Sequence, residues 1–517
     1  MQKCLGRLVG AALLLTGVAA RATELEATTP HFVIVGDTSR QEITRFARRL
    51  EATHWLMKAA TGVTQERPGP RVRIYLVPNR TSVARAMGQR NAGDIVGFYN
   101  SSTDGSFAVV PLDEGDFSAT VLLHEYAHHF MLQHMNGAYP AWYVEGFAEL
   151  MSTAKMRNER EITYGEAARH RGPELQYAQW TPIERLINPD QRGSSQDFEA
   201  AYGQYWLLTH YLTFDPSRRG QLRQYINAIS SGRSVAEAQN VFTGGLTKLD
   251  RDLRNYLRSN SFAYTLAPVP DGAIADPAIR DLRPGEVAIL TDELLSRRGM
   301  SAEEHLPFVA RVAEVARRYP DDPAVLLLQA RLLRWADRHA EALAVATRLT
   351  TLSPNDVEAL ALRATLMLEL ASANGGTVAA ATLAEARSLI GRANRADPDH
   401  PAPLIAYFRS FAMARQTPST LAIEGLYKAS RMMPQESSLN RQLIDALLAT
   451  RDVAAARPLL TRTAWAPHAS WHRSYAAHLL GWIDGGAQGE VPFEAARQAA
   501  DAAMTPARRA PAQPRGS

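Results

Sequence analysis

With 517 residues, 46% of them hydrophobic and 21% charged, the chain is too long for one hydrophobic core and has the composition of a folded globular protein, which sets aside disordered and collagen-like classes. The net charge is +4, but Lys3, Arg7 and Arg21 would leave with an N-terminal signal, and a mature balance of about +1 excludes an electrostatic case for nucleic acid or an acidic membrane surface as partner. Cys4 is the only cysteine and lies in that same segment, so the mature chain has neither a disulfide nor a cysteine metal ligand.

Residues 1–22 have the pattern of a secretory signal: Lys3 and Arg7, an apolar run over 8–20, then Ala20-Arg-Ala22 as the cleavage site. The run is short for a membrane span, and Cys4 precedes it, which is the wrong side for a lipid-anchor cysteine. An exported protein is expected, periplasmic or secreted, without stable membrane insertion after cleavage. Next, HFVIVGD (31–37) and RVRIYLV (71–77) read as strands, and between them Ile43, Phe46, Leu50 and Met57 mark a helix over 40–60. The run GFYNSSTDGSFAVVPL (97–112) reads as two strands around a turn. A helix follows through VLLHEYAHHF, with Asp113, Glu114 and Asp116 near its start and Ser118 as its expected N-cap. Gly137 offers a stop and Pro140 a new start, for a helix through PAWYVEGFAELMSTAK. FEAAYGQYWLLTHYL (198–212) is another helix, and TKLDRDLRNYL closes a first unit at 28–265 whose strands precede its helices, an α+β order.

Residues 266–285 carry Pro268, Pro270, Pro277 and Pro284 and read as a linker. Beyond it, over 286–503, the chain becomes alanine- and leucine-rich helix pairs ended by Pro320, Pro354, Pro398 and Pro434. The first separation matches the tetratricopeptide period. Ala330 and Ala364 in first helices, and Ala342, Ala386, Ala422 and Ala456 in second helices, sit where small side chains let antiparallel helices approach. The insert SANGGTVAAA (372–381) is expected as a loop between two helices. The array should stack as a solenoid whose concave face could hold a protein partner or be structural only. The tail over 504–517 is rich in Pro and Arg and is expected to be disordered.

The chemistry concentrates in His124, Glu125 and His128, which spell H-E-x-x-H. Residues four apart lie one turn above each other on a helix, so the two imidazoles can hold one metal from one side. Glu125 is rotated about 100° from His124 and can reach a metal-bound water without being a ligand. The apolar flanks imply a buried helix, and a metal is a sufficient reason to bury its polar groups. A catalytic zinc site needs a third protein ligand and an open fourth position.

H-E-x-x-H followed by W-x-x-E-G-x-A-E (142–149) resembles the gluzincin side of the zinc peptidases, and with helical repeats behind it the chain resembles the bacterial peptidase MA-like group of exported proteins. Sixteen residues separate His128 from Glu145, slightly fewer than in the aminopeptidase branch. The resemblance implies a zincin-like α+β metallopeptidase domain followed by an all-α tetratricopeptide-like solenoid. It implies one Zn²⁺ per chain on His124, His128 and Glu145, with Glu149 orienting a histidine and Glu125 as general base. It implies an oxyanion donor at Tyr202, with Tyr205 as the fallback. The substrate, a peptide or protein, would lie along an edge strand at 106–111. His54, His129 and His134 are expected to be packing or surface residues. Two other classes fit the same residues: a repeat scaffold with a vestigial zinc domain, and a zinc hydrolase of a non-peptide amide. No motif names the substrate or separates internal from terminal cleavage.

Overall fold

The computed structural model describes residues 24–504 except 89–96, 103, 113–114, 136, 138, 189–199, 300–301 and 467–469. The expected signal segment, Asp113, Glu114 and the tail after Met504 lie outside the described residues. The architecture is mixed α+β and mostly helical, with a sheet built chiefly from the N-terminal part and a stack of helices at the C-terminal end. No helix among the described residues is long and apolar enough to cross a membrane.

Six strands make the main sheet: β1 (Glu24–Thr28), β2 (Phe32–Asp37), β3 (Val72–Val77), β4 (Phe98–Ser102), β5 (Gly105–Pro111) and, far along the chain, a strand over Ala278–Asp281. Their spatial order is β4, β5, β3, β2, β1 and the Ala278–Asp281 strand. β2 runs parallel to β3, and β3 parallel to β5, while the remaining pairs are antiparallel. The two strands expected over 31–37 and 71–77 are therefore central, which suits their near-continuous apolar runs. A smaller antiparallel sheet joins Met156–Asn158, Glu161–Tyr164 and Thr265–Pro268.

One face of the main sheet packs under α1 (Arg40–Thr61) and α3 (Gly115–His134), with Phe32, Ile34, Ile74 and Val110 meeting Ile43, Leu50, Leu123 and Phe130. A capping box sets the start of α1, with Ser39 and Glu42 bonding each other's backbone, and Gly62 at φ 73° ends it. The other face carries Tyr75, Phe107 and Val109. They are covered by Val83 and Ala86 from α2 (Arg80–Ala86) and by Leu290 and Leu294 from the Pro284–Arg298 helix.

Three expectations need correction. Ser118 does not cap the helix that carries His124, because that helix already begins at Gly115. The segment 106–111 is not an edge strand: it lies in β5, which is paired on both sides, so the hairpin leaves β4 at the sheet's edge. The span 266–285 is not a free linker. It supplies a strand to each sheet and leads into the helix that covers the second face, with Glu26 pairing Arg280 at 2.9 Å. Its prolines frame those short strands at their ends, where no ladder bond is lost.

The helices beyond it pair antiparallel, for example Pro323–Trp335 with His339–Leu352 and Val357–Ser372 with Ala380–Ala396. Ala330, Ala342, Ala364, Ala386, Ala422 and Ala456 are all fully buried, as close helix approach requires. The insert at 372–381 does fall between two helices. This stack is docked onto the sheet unit. Gln435 donates to the Ser106 hydroxyl at 2.9 Å, Arg297 to the Asp104 carbonyl at 3.1 Å, and Arg331 reaches the Asp104 carboxylate at 3.3 Å. A Cβ on Gly69 would stand 2.8 Å from the carbonyl of Met432, so that contact requires glycine.

Candidate metal centre

One helical turn separates His124 from His128 on α3, and their Nε2 atoms lie 3.0 Å apart. The Glu145 carboxylate reaches across from α4 (Ala141–Ser152) and places Oε2 3.5 Å from His124 Nε2 and 3.3 Å from His128 Nε2. These three atoms form a small triangle with Glu145 completely buried (0% exposed). An ideal tetrahedron with metal–ligand bonds of about 2.05 Å has edges of roughly 3.3 Å. The triangle therefore has the dimensions of three corners of a tetrahedral metal site. The donor set of two imidazoles and a carboxylate suits zinc, among other divalent metals.

Glu149, one turn beyond Glu145 and also fully buried, lies 3.0 Å from His124 Nδ1. Its other contacts are His170 Nε2 at 2.8 Å and the Arg171 guanidinium at 2.7 Å. With Nδ1 as the donor toward Glu149, the Nε2 lone pair of His124 is directed into the triangle, which is how a carboxylate fixes the tautomer of a metal-binding histidine. Burial pushes the His124 pKa down, but Glu145 and Glu149 together outweigh it and raise it to about 10. Two buried carboxylates thus call for a cation at this point, either a proton or a metal.

The helix Tyr202–Phe214 brings Tyr202 beside the same histidine, with ring centroids 6.2 Å apart and the Arg171 guanidinium over the tyrosine ring at 5.0 Å. Tyr205 is instead buried in the apolar cluster with Trp142 and Trp206, which favours Tyr202 for any role at the centre. Gly146 makes this crossing possible. A Cβ there would lie 2.0 Å from Thr209 Oγ1 and 2.5 Å from the Tyr205 carbonyl. The Glu-Gly pair therefore supplies a carboxylate and, next to it, the space for the tyrosine helix.

Glu125, not part of the triangle, lines a cleft of about 290 Å³ together with His128, Tyr99 and His129. Tyr99, on the edge strand β4, bonds His129 Nδ1 at 2.8 Å. Burial first, and then the more distant His134, His54 and His31, lower the His129 pKa to about 3, so this ring is neutral. The far wall of the cleft is Gln435, Arg462, Trp465 and Ala466, all from the C-terminal helices.

All six residues singled out by sequence thus fall at one place: His124, His128 and Glu145 as a triangle, Glu149 behind it, and Glu125 and Tyr202 on either side. The three other histidines are packed. His54 bonds the Tyr126 hydroxyl at 2.7 Å and stacks on His31 at 3.6 Å, His134 packs on Phe130, and His129 stacks on Tyr126. A second group of potential donors, His31, His54 and Glu66, already has the Lys58 ammonium on its carboxylate. Sequence reading missed Tyr99, His170, Arg171 and the cleft wall. Tyr99 lay in an expected strand without a motif, and the others join the site only through the tertiary fold. No protein-family model matches the chain, and no curated protein matches it.

Proposed function

We propose that the chain is an exported zinc-dependent peptidase of the zincin type, resembling the peptidase MA-like group, with tetratricopeptide-like repeats behind the catalytic unit. One observation carries this reading. Two imidazoles and a buried carboxylate meet at the edge lengths of a tetrahedral site, while Glu125 stands next to them, outside the triangle and open to a cleft. That separation of ligands from base is what metal-assisted hydrolysis needs.

His124, His128 and Glu145 would hold the metal, and Glu149 would keep His124 oriented. Bound there, zinc supplies a Lewis acid that polarises the scissile carbonyl and lowers the pKa of water toward ~7. Glu125 takes the proton of the attacking water and returns it to the leaving nitrogen. The carbonyl carbon gains the hydroxyl, the amine gains the hydrogen, and the C–N bond breaks. The Tyr202 hydroxyl donates a hydrogen bond to the oxyanion formed between these events. The substrate backbone lies along β4, the strand with an open edge, so affinity comes largely from main-chain pairing.

Metal content and turnover on a peptide library test the proposal together. The purified mature protein should carry about one zinc per chain, and His128→Ala or Glu145→Ala should strip it. Glu125→Gln should keep zinc and lose hydrolysis. Zinc loss in Glu125→Gln as severe as in His124→Ala would reverse the roles of base and ligand. A zinc-loaded wild type that cuts no peptide would remove the peptidase reading.

A further inference from the structure

The cleft beside Glu125 has a chemistry of its own. Met131, Leu132 and Met135 from the metal helix face Trp465 from the C-terminal helices, so most of its lining is apolar. Arg462 stands in this wall. Among the described residues, no carboxylate lies within ion-pair distance of Arg462 or of its neighbours Arg67 and Arg431. After burial, Arg67 lowers the pKa of Arg462 against an opposing effect of Tyr427, and Arg431 lowers that of Arg67 against Tyr427 and Tyr139. Gln435 lines the same cleft, its Nε2 already donating to the Ser106 hydroxyl at 2.9 Å. A guanidinium lining an apolar cleft without a carboxylate partner makes a site for an anion.

The catalytic geometry says which part of a substrate enters. Glu125 opens into this cleft, whereas Tyr202 stands at His124 and is not part of the lining. The group that returns a proton to the leaving nitrogen must face the leaving fragment, so the cleft receives the C-terminal side of the scissile bond. A volume of about 290 Å³ is at the small end of ligand pockets and suits a chain end better than a continuing segment. We propose that Arg462 binds the free C-terminal carboxylate of the peptide substrate, with an apolar terminal side chain packed against Met131, Leu132 and Trp465. Cleavage then releases short C-terminal fragments, and the repeat stack sets the specificity by supplying the anion-binding residue. This inference rests on the peptidase reading and names its substrate class.

The test uses the zinc-loaded full chain and three matched N-acetylated peptides: one ending in phenylalanine with a free carboxylate, its C-terminal amide, and an amide carrying a glutamate before the phenylalanine. The free acid should be cleaved near its C-terminus with a kcat/KM roughly ten- to a hundredfold above the plain amide, the range of one charge-assisted bond. Arg462→Gln should erase that preference with zinc content unchanged, lowering kcat/KM for the free acid far more than for the amide, and Arg462→Lys should restore part of it. Equal cleavage of acid and amide overturns the proposal, as does cleavage of the glutamate peptide at the rate of the free acid. Should Arg462→Gln fail to fold, the wild-type comparison and Arg462→Lys still decide. If no peptide is cut, calorimetric binding of N-acetylphenylalanine against its amide separates the two readings. Selective, Arg462-dependent binding keeps the carboxylate site and removes only hydrolysis, whereas absence of binding overturns the site as well.

Discussion

Replacing Glu149 by alanine should weaken metal binding without touching a ligand. Its carboxylate holds three groups: His124 Nδ1 at 3.0 Å, His170 Nε2 at 2.8 Å and Arg171 at 2.7 Å. Without it, the His124 ring is free to rotate or to move its proton to Nε2, the atom needed for the metal. Loss of such an orienting partner costs about 10- to 100-fold in metal affinity, or roughly 1.4–2.8 kcal/mol. Stability should fall too, because breaking a buried ion pair costs about 3–5 kcal/mol. The lower end applies here, since Arg171 keeps Glu174 at 2.7 Å. Glu149→Gln should lose less zinc affinity than alanine, because its amide oxygen can still accept from His124 Nδ1–H. Competition against a chromophoric zinc chelator gives the affinities, and thermal melts of the metal-free proteins give the stability. A Glu149→Ala protein with zinc affinity within twofold of wild type but a lowered Tm would show that Glu149 only supports the fold.

Tyr202→Phe should lower kcat by roughly 10²–10³ with zinc content and KM little changed, the signature of a lost oxyanion donor; an unchanged kcat would leave Tyr202 as a packing partner of Arg171. Acid should loosen the contact between the Pro284–Arg298 helix and the sheet. Burial raises the Glu293 pKa, but Arg73 and Arg297 outweigh it and hold it at about 2. A depressed carboxylate stabilises the fold above its ordinary value of ~4.5, and this contribution is lost as pH falls from there toward ~2. It amounts to at most about 3 kcal/mol, and less in practice because the side chain is 21% exposed. Chemical denaturation from pH 6 to 3 should show Glu293→Gln losing less stability than wild type, and parallel curves would refute the assignment. A fragment of residues 24–270 should fail to fold, because it lacks the Ala278–Asp281 strand and the helix covering Tyr75, Phe107 and Val109. Circular dichroism and limited proteolysis would expose a stable fragment and so refute this.

The pairing of His124 with His128 was legible because helical spacing alone aligns them, whereas Glu145 was named only through the resemblance to the gluzincin motif and its approach depends on the close helix crossing at Gly146. The buried alanines of the repeats were legible for the same reason, since small residues at fixed helical positions have one packing use. The strand over Ala278–Asp281 was not, because AIRD is short, half polar and framed by prolines, and only its ladder with β1 makes it a strand. The choice of edge strand was missed because it depends on β5 pairing with β3 across the chain, which no hairpin pattern reveals. Arg462 gave no local signal at all; its meaning comes from Glu125, more than three hundred residues earlier, lining the same cleft.

The helix α3 shows why so many polar residues can be buried in one element. Each residue advances by about 100°, so α3 presents three separate polar faces. Residues 124 and 128 face Glu145. Residues 125 and 129 face the cleft, where Tyr99 holds His129. Residues 126 and 130 face α1, where His54 holds the Tyr126 hydroxyl. Further along, the backbone N–H of Arg67 points at His134 Nδ1 from 3.5 Å, a long contact at the helix end. These contacts leave little freedom for the helix to turn about its axis. A rotation that brought His129 toward Glu145 would break the Tyr126 and Tyr99 bonds together and withdraw His124 from it. The polar residues outside the triangle therefore select which two histidines meet Glu145, and the same helical phase puts Glu125 into the lining of the cleft shared with Arg462. In this fold, the grouping of His124 and His128 with Glu145 and the place of Glu125 in the cleft lining both follow from one helical phase angle.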